Sequence, residues 1–196
     1  MSKQVEFFFD VGSPAAYLAW TQLPSIAAAA GAEIVWRPML PGGVFKATGN
    51  QSPIAVPAKG AYIKLDFARF ARRYGVPFSI NPHFPINTLT LMRGAAGYLE
   101  TPALQRYLGA VFTAIWVERR DMGDPAVVAE TLRAADLDPA EFERLAGDEA
   151  SKTRLKAITE EAVARGVFGA PTFFVGDEMF FGQDRLDFVA EALAGR

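Results

Sequence analysis

Residues 166–186 read GVFGAPTFFVGDEMFFGQDRL, and this stretch decides how the end of the chain folds. Two apolar runs, 171–175 and 178–181, flank a Gly-Asp turn and predict a β-hairpin. Pro171 opens the first run, a position that a strand tolerates at an edge or where no ladder hydrogen bond is needed. If the peptide bond before it is cis, we expect a turn that exposes backbone groups to a ligand. A closing helix over 184–193 is expected to follow.

The start of the chain predicts a β-α-β unit. Residues 5–9 form a nearly continuous apolar run, as in a strand that is buried on both faces. An alanine-rich helix over 14–30 is expected to end at Gly31. We expect Pro24 to kink or break this helix. Residues 33–37 then predict a second strand.

The middle of the chain predicts a block of helices. Residues 41–61 are rich in glycine and proline and lack periodicity, which is typical of a functional or mobile loop. Apolar spacing over 62–74 predicts a helix, and a second loop, SINPHFPIN at 79–87, leads to a helix capped by Asn87. Another helix is expected over 149–165. Three further helices are predicted to begin with a capping residue followed by proline, at Thr101-Pro102, Asp124-Pro125 and Asp138-Pro139.

Composition limits the classes of protein to consider. The 196 residues are 51% hydrophobic and 21% charged, which allows one ample core with or without an inserted subdomain. The net charge of -2, with both signs interspersed, gives no basic footprint for nucleic acid and no polybasic tract for a membrane surface. The absence of cysteine excludes disulfides and any thiol nucleophile of the protein itself. The first residues do not resemble a signal peptide, so we expect a cytoplasmic protein.

Ser13 follows the first strand and precedes a proline, an arrangement with two interpretations. It is typical of a helix N-cap. It is also the carboxyl edge of a strand, where α/β proteins place ligands, and a helix N-terminus there favours an anion. No general base accompanies the serine, since the one histidine, His83, lies in a distant loop. His83 alone also predicts no metal site, and Asp184 is either a helix-terminal acid or a ligand.

The order βαβ, helices, ββα predicts an α/β protein with a thioredoxin-like fold and an inserted all-helical domain. Residues 1–40 and 167–196 would form the discontinuous thioredoxin-like domain, and 41–166 the insertion, whose helix at 149–166 connects back. With this layout the chain resembles the 2-hydroxychromene-2-carboxylate isomerases, relatives of the kappa-class glutathione transferases and of DsbA-like oxidoreductases. Four segments carry the resemblance: FFFDVGSPAAYLA, TGNQSPIAVPAKGAYIKLDFARFARRYGVP, VFTAIWVERRD and GVFGAPTFFVGDEMFFGQDRL.

The resemblance implies glutathione as a cofactor. The oxidoreductases carry Cys-x-x-Cys where this chain has Ser13, and in the isomerases and kappa-class enzymes that serine points at the sulfur of glutathione. The backbone of Ala170 would pair with the cysteinyl amide of glutathione. The γ-glutamyl end would be held by Phe181, Gly182, Gln183 and Asp184. A hydroxyl donor at a helix N-terminus is suited to stabilising a thiolate.

The resemblance also implies a reaction and a substrate. We expect the cis-trans isomerisation of 2-hydroxychromene-2-carboxylate to trans-o-hydroxybenzylidenepyruvate, or of a close analogue, in the catabolism of aromatic hydrocarbons such as naphthalene. Lys46 and Asn50 in the first loop and Phe84 in the second would bind this aromatic carboxylate, with Lys59 a weaker candidate. A homodimer is also implied, without nucleic-acid or membrane partners.

Two alternatives and two departures accompany this hypothesis. The same bound thiolate would also serve a kappa-like transferase or peroxidase, and a non-catalytic thioredoxin-like binding module would need no glutathione. The family commonly has an aromatic residue directly after Ser-Pro, where this chain has Ala15-Ala16. Gln183 stands where Asn or Ser is usual. We expect Ala15 to affect the identity of the substrate.

Overall fold

The computed structural model describes residues 3–195, which form one four-stranded sheet and nine α-helices. The strands are β1 (Gln4–Phe9), β2 (Glu33–Pro38), β3 (Thr172–Val175) and β4 (Glu178–Phe181). Their order in the sheet is β2-β1-β3-β4. β1 runs parallel to β2 and antiparallel to β3, and β3 and β4 form the predicted hairpin. The mixed sheet therefore joins the two ends of the chain.

The aromatic residues of β1 explain its central place in the sheet. Phe7 and Phe8 are both fully buried, and successive side chains of a strand point to opposite faces. The Phe7 ring stacks on Phe173 of β3 at a centroid distance of 5.2 Å. The Phe8 ring meets Phe174 edge-on at 5.7 Å. Each face of β1 is thus covered by an aromatic pair, which is why its sequence is continuously apolar.

The helices separate the two halves of the sheet along the chain. They are α1 (Pro14–Ala30), α2 (Pro41–Thr48), α3 (Pro57–Tyr74), α4 (Leu89–Tyr98), α5 (Leu104–Trp116), α6 (Pro125–Ala134), α7 (Pro139–Gly147), α8 (Glu149–Ala164) and α9 (Leu186–Leu193). Short 3₁₀ turns at Pro53–Ala55 and Gln183–Arg185 precede α3 and α9. The closing helix therefore begins two residues later than Asp184, where we expected it to start.

The prediction of a loop over 41–61 is wrong. That stretch holds all of α2, a 3₁₀ turn and the first turn of α3. Pro41 and Pro57 occupy the first helical positions, where the missing N–H of proline has no intrahelical partner anyway. Gly49 then ends α2 in a left-handed conformation, with φ of 72°. Prolines and glycines at helix ends gave the stretch the composition of a loop.

Two of the three proline-led helix starts are confirmed. The side chains of Asp124 and Asp138 accept hydrogen bonds from the N–H groups of Ala126 and Ala140 at 2.8 and 2.9 Å. The start at Thr101-Pro102 is wrong, since α5 begins at Leu104. The Thr101 hydroxyl donates back to the Tyr98 carbonyl instead, at 2.7 Å, so it is not available as a cap.

Two other expectations about helices have different outcomes. α1 continues as one helix through Pro24, so the chain does not break there. The N-cap of α4 is Thr88 and not the expected Asn87, whose side-chain oxygen accepts the N–H of Leu89, the first residue of the helix, at 3.1 Å.

Two apolar clusters hold the fold together. The larger one joins one face of the sheet to α1, α4, α5, α6, α7 and α9. The smaller one lies around Phe8 and Phe174 on the other face, with Met39, Val44 and Ile158. The division into a thioredoxin-like domain and a helical insertion stays a prediction. Within residues 3–195, no helix is both long and apolar enough to cross a membrane.

Candidate functional site

Ser13 lies at the junction of the two ends of the chain. Its hydroxyl accepts the Ala16 N–H at 3.2 Å, which makes it the N-cap of α1. The same hydroxyl donates to the carbonyl oxygen of Ala170, 157 residues away in sequence, at 3.4 Å. The capping interpretation of Ser13 is therefore correct, and it does not exclude the other one. The cap is half-buried and faces the proline turn that precedes β3.

The peptide bond between Ala170 and Pro171 in the proline turn is cis. The Thr172 hydroxyl closes the turn by donating to the Gly169 carbonyl at 2.8 Å. No backbone carbonyl within residues 3–195 accepts the Ala170 N–H. Beside the Ser13 hydroxyl, the turn thus offers one backbone donor to an extended peptide-like ligand.

The end of the hairpin is fixed to this turn. Gly182 donates its N–H to the Pro171 carbonyl at 3.0 Å. It has a φ of +100°, and a Cβ at this position would collide with the Asp184 carboxylate. Asp184 in turn pairs with Arg185 at 2.5 Å. The Phe181 ring, 41% exposed, lies 4.5 Å from that of Phe168.

Tyr74 of α3 makes a hydrogen bond to Gln183, the residue after Gly182. Gln183 is buried, and its carbonyl accepts the Tyr74 hydroxyl at 2.8 Å. Burial, reinforced by the charges of Asp187 and Asp184, raises the pKa of Tyr74 to about 12. The phenol therefore remains a donor at neutral pH. This contact attaches α3 to the segment that we expect to hold the γ-glutamyl group.

Two of the three expected substrate residues are connected to this centre. The Asn50 amide donates to the Phe168 carbonyl at 2.8 Å, which brings the connection after α2 to the proline turn. The half-buried Phe84 packs against Trp116 with ring centroids 5.6 Å apart. Trp116 donates its indole N–H to the Val11 carbonyl at 2.8 Å, two residues before Ser13. Phe84 thus approaches the β1–α1 turn through Trp116.

The remaining expected residues are less closely tied. Lys46 is exposed in the last turn of α2 and not in a mobile loop, and within the described part of the chain no hydrogen bond or ion pair joins its side chain to Ser13. Lys59 is exposed near the start of α3. Ala15, the departure from the family, is only 9% exposed. The functional roles of all these residues stay predictions.

Asp10 is a polar residue of this centre that sequence reasoning did not single out. It directly follows the last residue of β1 and is 3% exposed. Its carboxylate accepts the Gly12 N–H at 2.7 Å and the Thr88 hydroxyl at 2.9 Å. Burial raises the pKa of Asp10 to about 6, although both hydrogen bonds oppose the rise. An acid directly after an apolar run that is buried on both faces was the available signal.

Gly12 allows the turn to pack closely on α4. A Cβ on Gly12 would lie 2.7 Å from the methyl group of Thr88, closer than real side chains approach. The Ser13 N–H also donates to the Asp10 carbonyl at 3.0 Å. The backbone of the turn is therefore fixed by Asp10, by α4 and by Trp116 of α5. Ser13 is held on a rigid element.

The electrostatic setting of Ser13 favours an anion. α1 carries no charged side chain from Pro14 to Ala30, and its first turn holds no acid. The positive end of the helix is therefore not neutralised by α1 itself. The N–H of Ala170, which no backbone carbonyl accepts within residues 3–195, adds a polar donor beside this helix end.

Comparison with known proteins shows which family the chain matches and which proteins it is similar to. The DSBA-like thioredoxin domain family matches residues 4–194. A 2-hydroxychromene-2-carboxylate isomerase of Pseudomonas putida is 35% identical, over 98% of this chain and 94% of its own. Kappa 1 glutathione S-transferase of Rattus norvegicus is 28% identical, over 96% and 90%.

A solved structure gives the same result in three dimensions. The structure of a 2-hydroxychromene-2-carboxylate isomerase superposes with a TM-score of 0.85 at 31% identity, and covers 98% of this chain and 95% of its own. The expected α/β thioredoxin-like fold and the resemblance to this group are confirmed.

Proposed function

The chain belongs to the DsbA-like thioredoxin family and to the 2-hydroxychromene-2-carboxylate isomerases and is an isomerase; we propose that it works with glutathione. The observation that carries the proposal is the Ser13 hydroxyl at 3.4 Å from the Ala170 carbonyl, in a chain without cysteine. Ser13 stands at the helix start where a thiol would be needed, and the chain cannot supply one. The kappa glutathione transferases among its relatives support the same cofactor.

Ser13 and the proline turn would hold the reactive part of glutathione. Bound glutathione supplies the nucleophilic thiol through which a carbon–carbon double bond can be opened to rotation. The Ser13 hydroxyl would exchange its hydrogen bond to the Ala170 carbonyl for one to the sulfur, and the N-terminus of α1 favours the anionic form. A lowering of the thiol pKa by one unit corresponds to about 1.4 kcal/mol. The backbone of Ala170 pairs with the peptide part of glutathione.

The end of the hairpin would bind the γ-glutamyl group. The carboxylate of Asp184 suits the α-amino group of this end, and the backbone amides of the following turn suit its carboxylate. Phe181 and Gln183 flank these groups, and Gly182 allows the chain to turn between them. Tyr74 keeps the segment in place from α3.

The substrate of the Pseudomonas putida relative supports an aromatic carboxylate for this chain. Our proposal is 2-hydroxychromene-2-carboxylate and its ring-opened trans isomer, or a close analogue from the breakdown of aromatic hydrocarbons. The cationic Lys46 would attract the carboxylate group. Asn50 would hydrogen-bond polar atoms, and Phe84 would contact the aromatic ring.

An absorbance assay of the chromene acid tests this function. We expect turnover with glutathione and loss of turnover when glutathione is removed. The Ser13→Ala variant should keep its fold, since an N-cap lost to alanine costs about 1 kcal/mol. Its kcat should fall by at least tenfold. Turnover that does not depend on glutathione would refute the proposal.

A kappa-like transferase is the second candidate, favoured by the 28% identity to the rat enzyme. The same site would then use the thiol on other electrophiles. Conjugation of a generic aryl halide, combined with no activity on the chromene acid, would favour this candidate. A homodimer, a cytoplasmic location and the two-part domain division complete our proposal. Sedimentation, cell fractionation and limited proteolysis test them in turn.

A further inference from the structure

Asp10 is a buried carboxylate within the turn that presents Ser13. Only two residues separate them, and the Ser13 N–H donates to the Asp10 carbonyl at 3.0 Å. The two carboxylate oxygens of Asp10 are taken by Gly12 and Thr88. Both donors are neutral. A buried carboxylate with only neutral partners is an unusual feature beside a site that is built to hold an anion.

In the described part of the chain, no positive side chain forms an ion pair with Asp10. α1 has no charged residue. The elements packed on the turn carry Arg93 on α4, Arg106 on α5 and Arg120 after α5, and Arg120 pairs with Glu130. Within residues 3–195, none of them contributes to the ionisation of Asp10. The charge of Asp10 does act on Tyr107 of α5, whose pKa is raised by burial first and then by the charges of Tyr98 and Asp10. This phenol stays protonated at neutral pH.

We propose that Asp10 is a positioning residue whose charge is coupled to the anion held at Ser13, so that Asp10 takes up a proton when a thiolate forms there. Like charges close together in a dry environment oppose one another's ionisation. The N-terminus of α1 and the Ser13 hydroxyl stabilise the negative charge of the thiolate. No helix end or positive side chain among the described residues stabilises the charge of Asp10 in the same way, so Asp10 is the group that becomes protonated. The two groups then titrate as a pair.

The proton balance of this step is simple. The thiol loses its S–H proton to solvent, and the carboxylate of Asp10 gains one from solvent to form an O–H bond. The total charge of the pair does not change. Near pH 6, thiolate formation should therefore release less than one net proton. This inference rests on the proposed function only for the identity of the thiol as glutathione.

A cysteine placed at position 13 tests the coupling without glutathione. In a chain without other cysteines, Ser13→Cys introduces a single thiol at the start of α1. Its pKa can be read from the ultraviolet absorbance of the thiolate and from its rate of alkylation by iodoacetamide. We expect Asp10→Asn in this background to lower the thiol pKa by about one unit, because the opposing charge is gone.

Two further variants guard the interpretation. Asp177→Asn removes the same charge in the exposed hairpin turn, at the other end of the sheet, and should leave the thiol pKa unchanged. Thr88→Val keeps the size of Thr88 but removes a donor to Asp10, so that Asp10 stays protonated to higher pH. It should also lower the thiol pKa, and it decides the question if Asp10→Asn does not fold. If Asp10→Asn and Thr88→Val lower the thiol pKa by no more than Asp177→Asn does, the proposal is overturned.

Calorimetry with glutathione separates this proposal from the proposed function. Titrations near pH 6 in buffers of different ionisation enthalpy give the number of protons released on binding. We expect the wild type to release fewer protons than Asp10→Asn. If glutathione does not bind at all, the proposed function fails, whereas the introduced thiol still reports on Asp10. If glutathione binds and both proteins release equal numbers of protons, the coupling fails and the function stands.

Discussion

Gly182 donates its N–H to the carbonyl oxygen of Pro171 at 3.0 Å, so the end of the hairpin and the proline turn form one unit. The contact depends on a backbone conformation that glycine adopts easily, with φ of +100°. It also depends on the missing Cβ, whose space the Asp184 carboxylate occupies. The proposed sites for the two ends of glutathione are therefore connected through one residue.

Gly182→Ala should damage this unit. We expect the free energy of unfolding to fall by about 1–3 kcal/mol because of the strained φ. The affinity for glutathione should fall at least tenfold, since Asp184 must move. Calorimetry and urea unfolding measure both. Gly147→Ala, at a position where a Cβ meets no atom within 4 Å, is the matched control. Unchanged affinity for glutathione would contradict the proposed role of the segment.

Tyr74→Phe should loosen the same segment from the side of α3. Loss of the hydrogen bond to the Gln183 carbonyl should lower the free energy of unfolding by about 1 kcal/mol. The pKa of Tyr74, raised to about 12, keeps the hydroxyl protonated, so the effect should be constant across neutral pH. Urea unfolding at several pH values measures it. Tyr62→Phe, on the exposed side of α3, should leave the free energy of unfolding unchanged. If it lowers that free energy as much as Tyr74→Phe does, the hydrogen bond to Gln183 is not the cause.

Asp10 should make the stability of the fold depend on pH. Its folded pKa of about 6 lies above the ordinary value of 3.8, so the folded protein binds the proton more tightly than the unfolded chain. The stabilisation is therefore fully present below about pH 4 and is lost as the pH rises through about 6. The loss should reach about 3 kcal/mol. Asp10→Asn should abolish this component, as urea unfolding across the range would show.

The control for that prediction is again Asp177→Asn. Other carboxylates titrate over the same range, so the relevant quantity is the difference between each variant and the wild type. A difference that stays constant from pH 4 to pH 7 for Asp10→Asn would show that its carboxyl is not perturbed.

Glu6 of β1 should stabilise the face of the sheet opposite α1. It pairs with Arg165, the C-cap residue of α8, at 2.7 Å and with Arg37 of β2 at 3.4 Å. The Arg165 guanidinium lies 3.7 Å from the centre of the Phe174 ring. Because the three side chains are partly shielded, Glu6→Gln should lower the free energy of unfolding by about 1–2 kcal/mol. Urea unfolding measures it. Glu160→Gln, in an exposed pair with Lys156, should change it by less than about 0.5 kcal/mol.

Local patterns were enough to predict the sheet and most of the helices. The strands are apolar runs, and Asp124 and Asp138 carry their capping role in their own side chains. Ser13 and the proline turn were expected to meet because the resemblance implies that both hold glutathione. The stretch 41–61 failed because proline and glycine are typical of both loops and helix ends. Thr101 failed because its hydroxyl has a closer backbone partner.

The contacts that local patterns did not predict join residues far apart in sequence. Asp10 meets Thr88 across 78 residues, and Asn50 meets Phe168 across 118. Neither contact leaves a periodicity in the sequence, since each depends on how α2 and α4 pack against the sheet. The burial of Asp10, and hence its altered pKa, is a property of that packing.

The hydrogen bond from Asn50 to the Phe168 carbonyl has a consequence for the order of binding. One backbone segment, 168–170, supports Asn50 on one side and Ser13 on the other. A ligand that orders this segment from the Ser13 side should also order the connection between α2 and α3. By reciprocity, each of two ligands bound on either side then tightens the other by the same factor. Glutathione would act first as a structural element that prepares the neighbouring pocket, so its absence should raise the Kd for the substrate as well as abolish turnover.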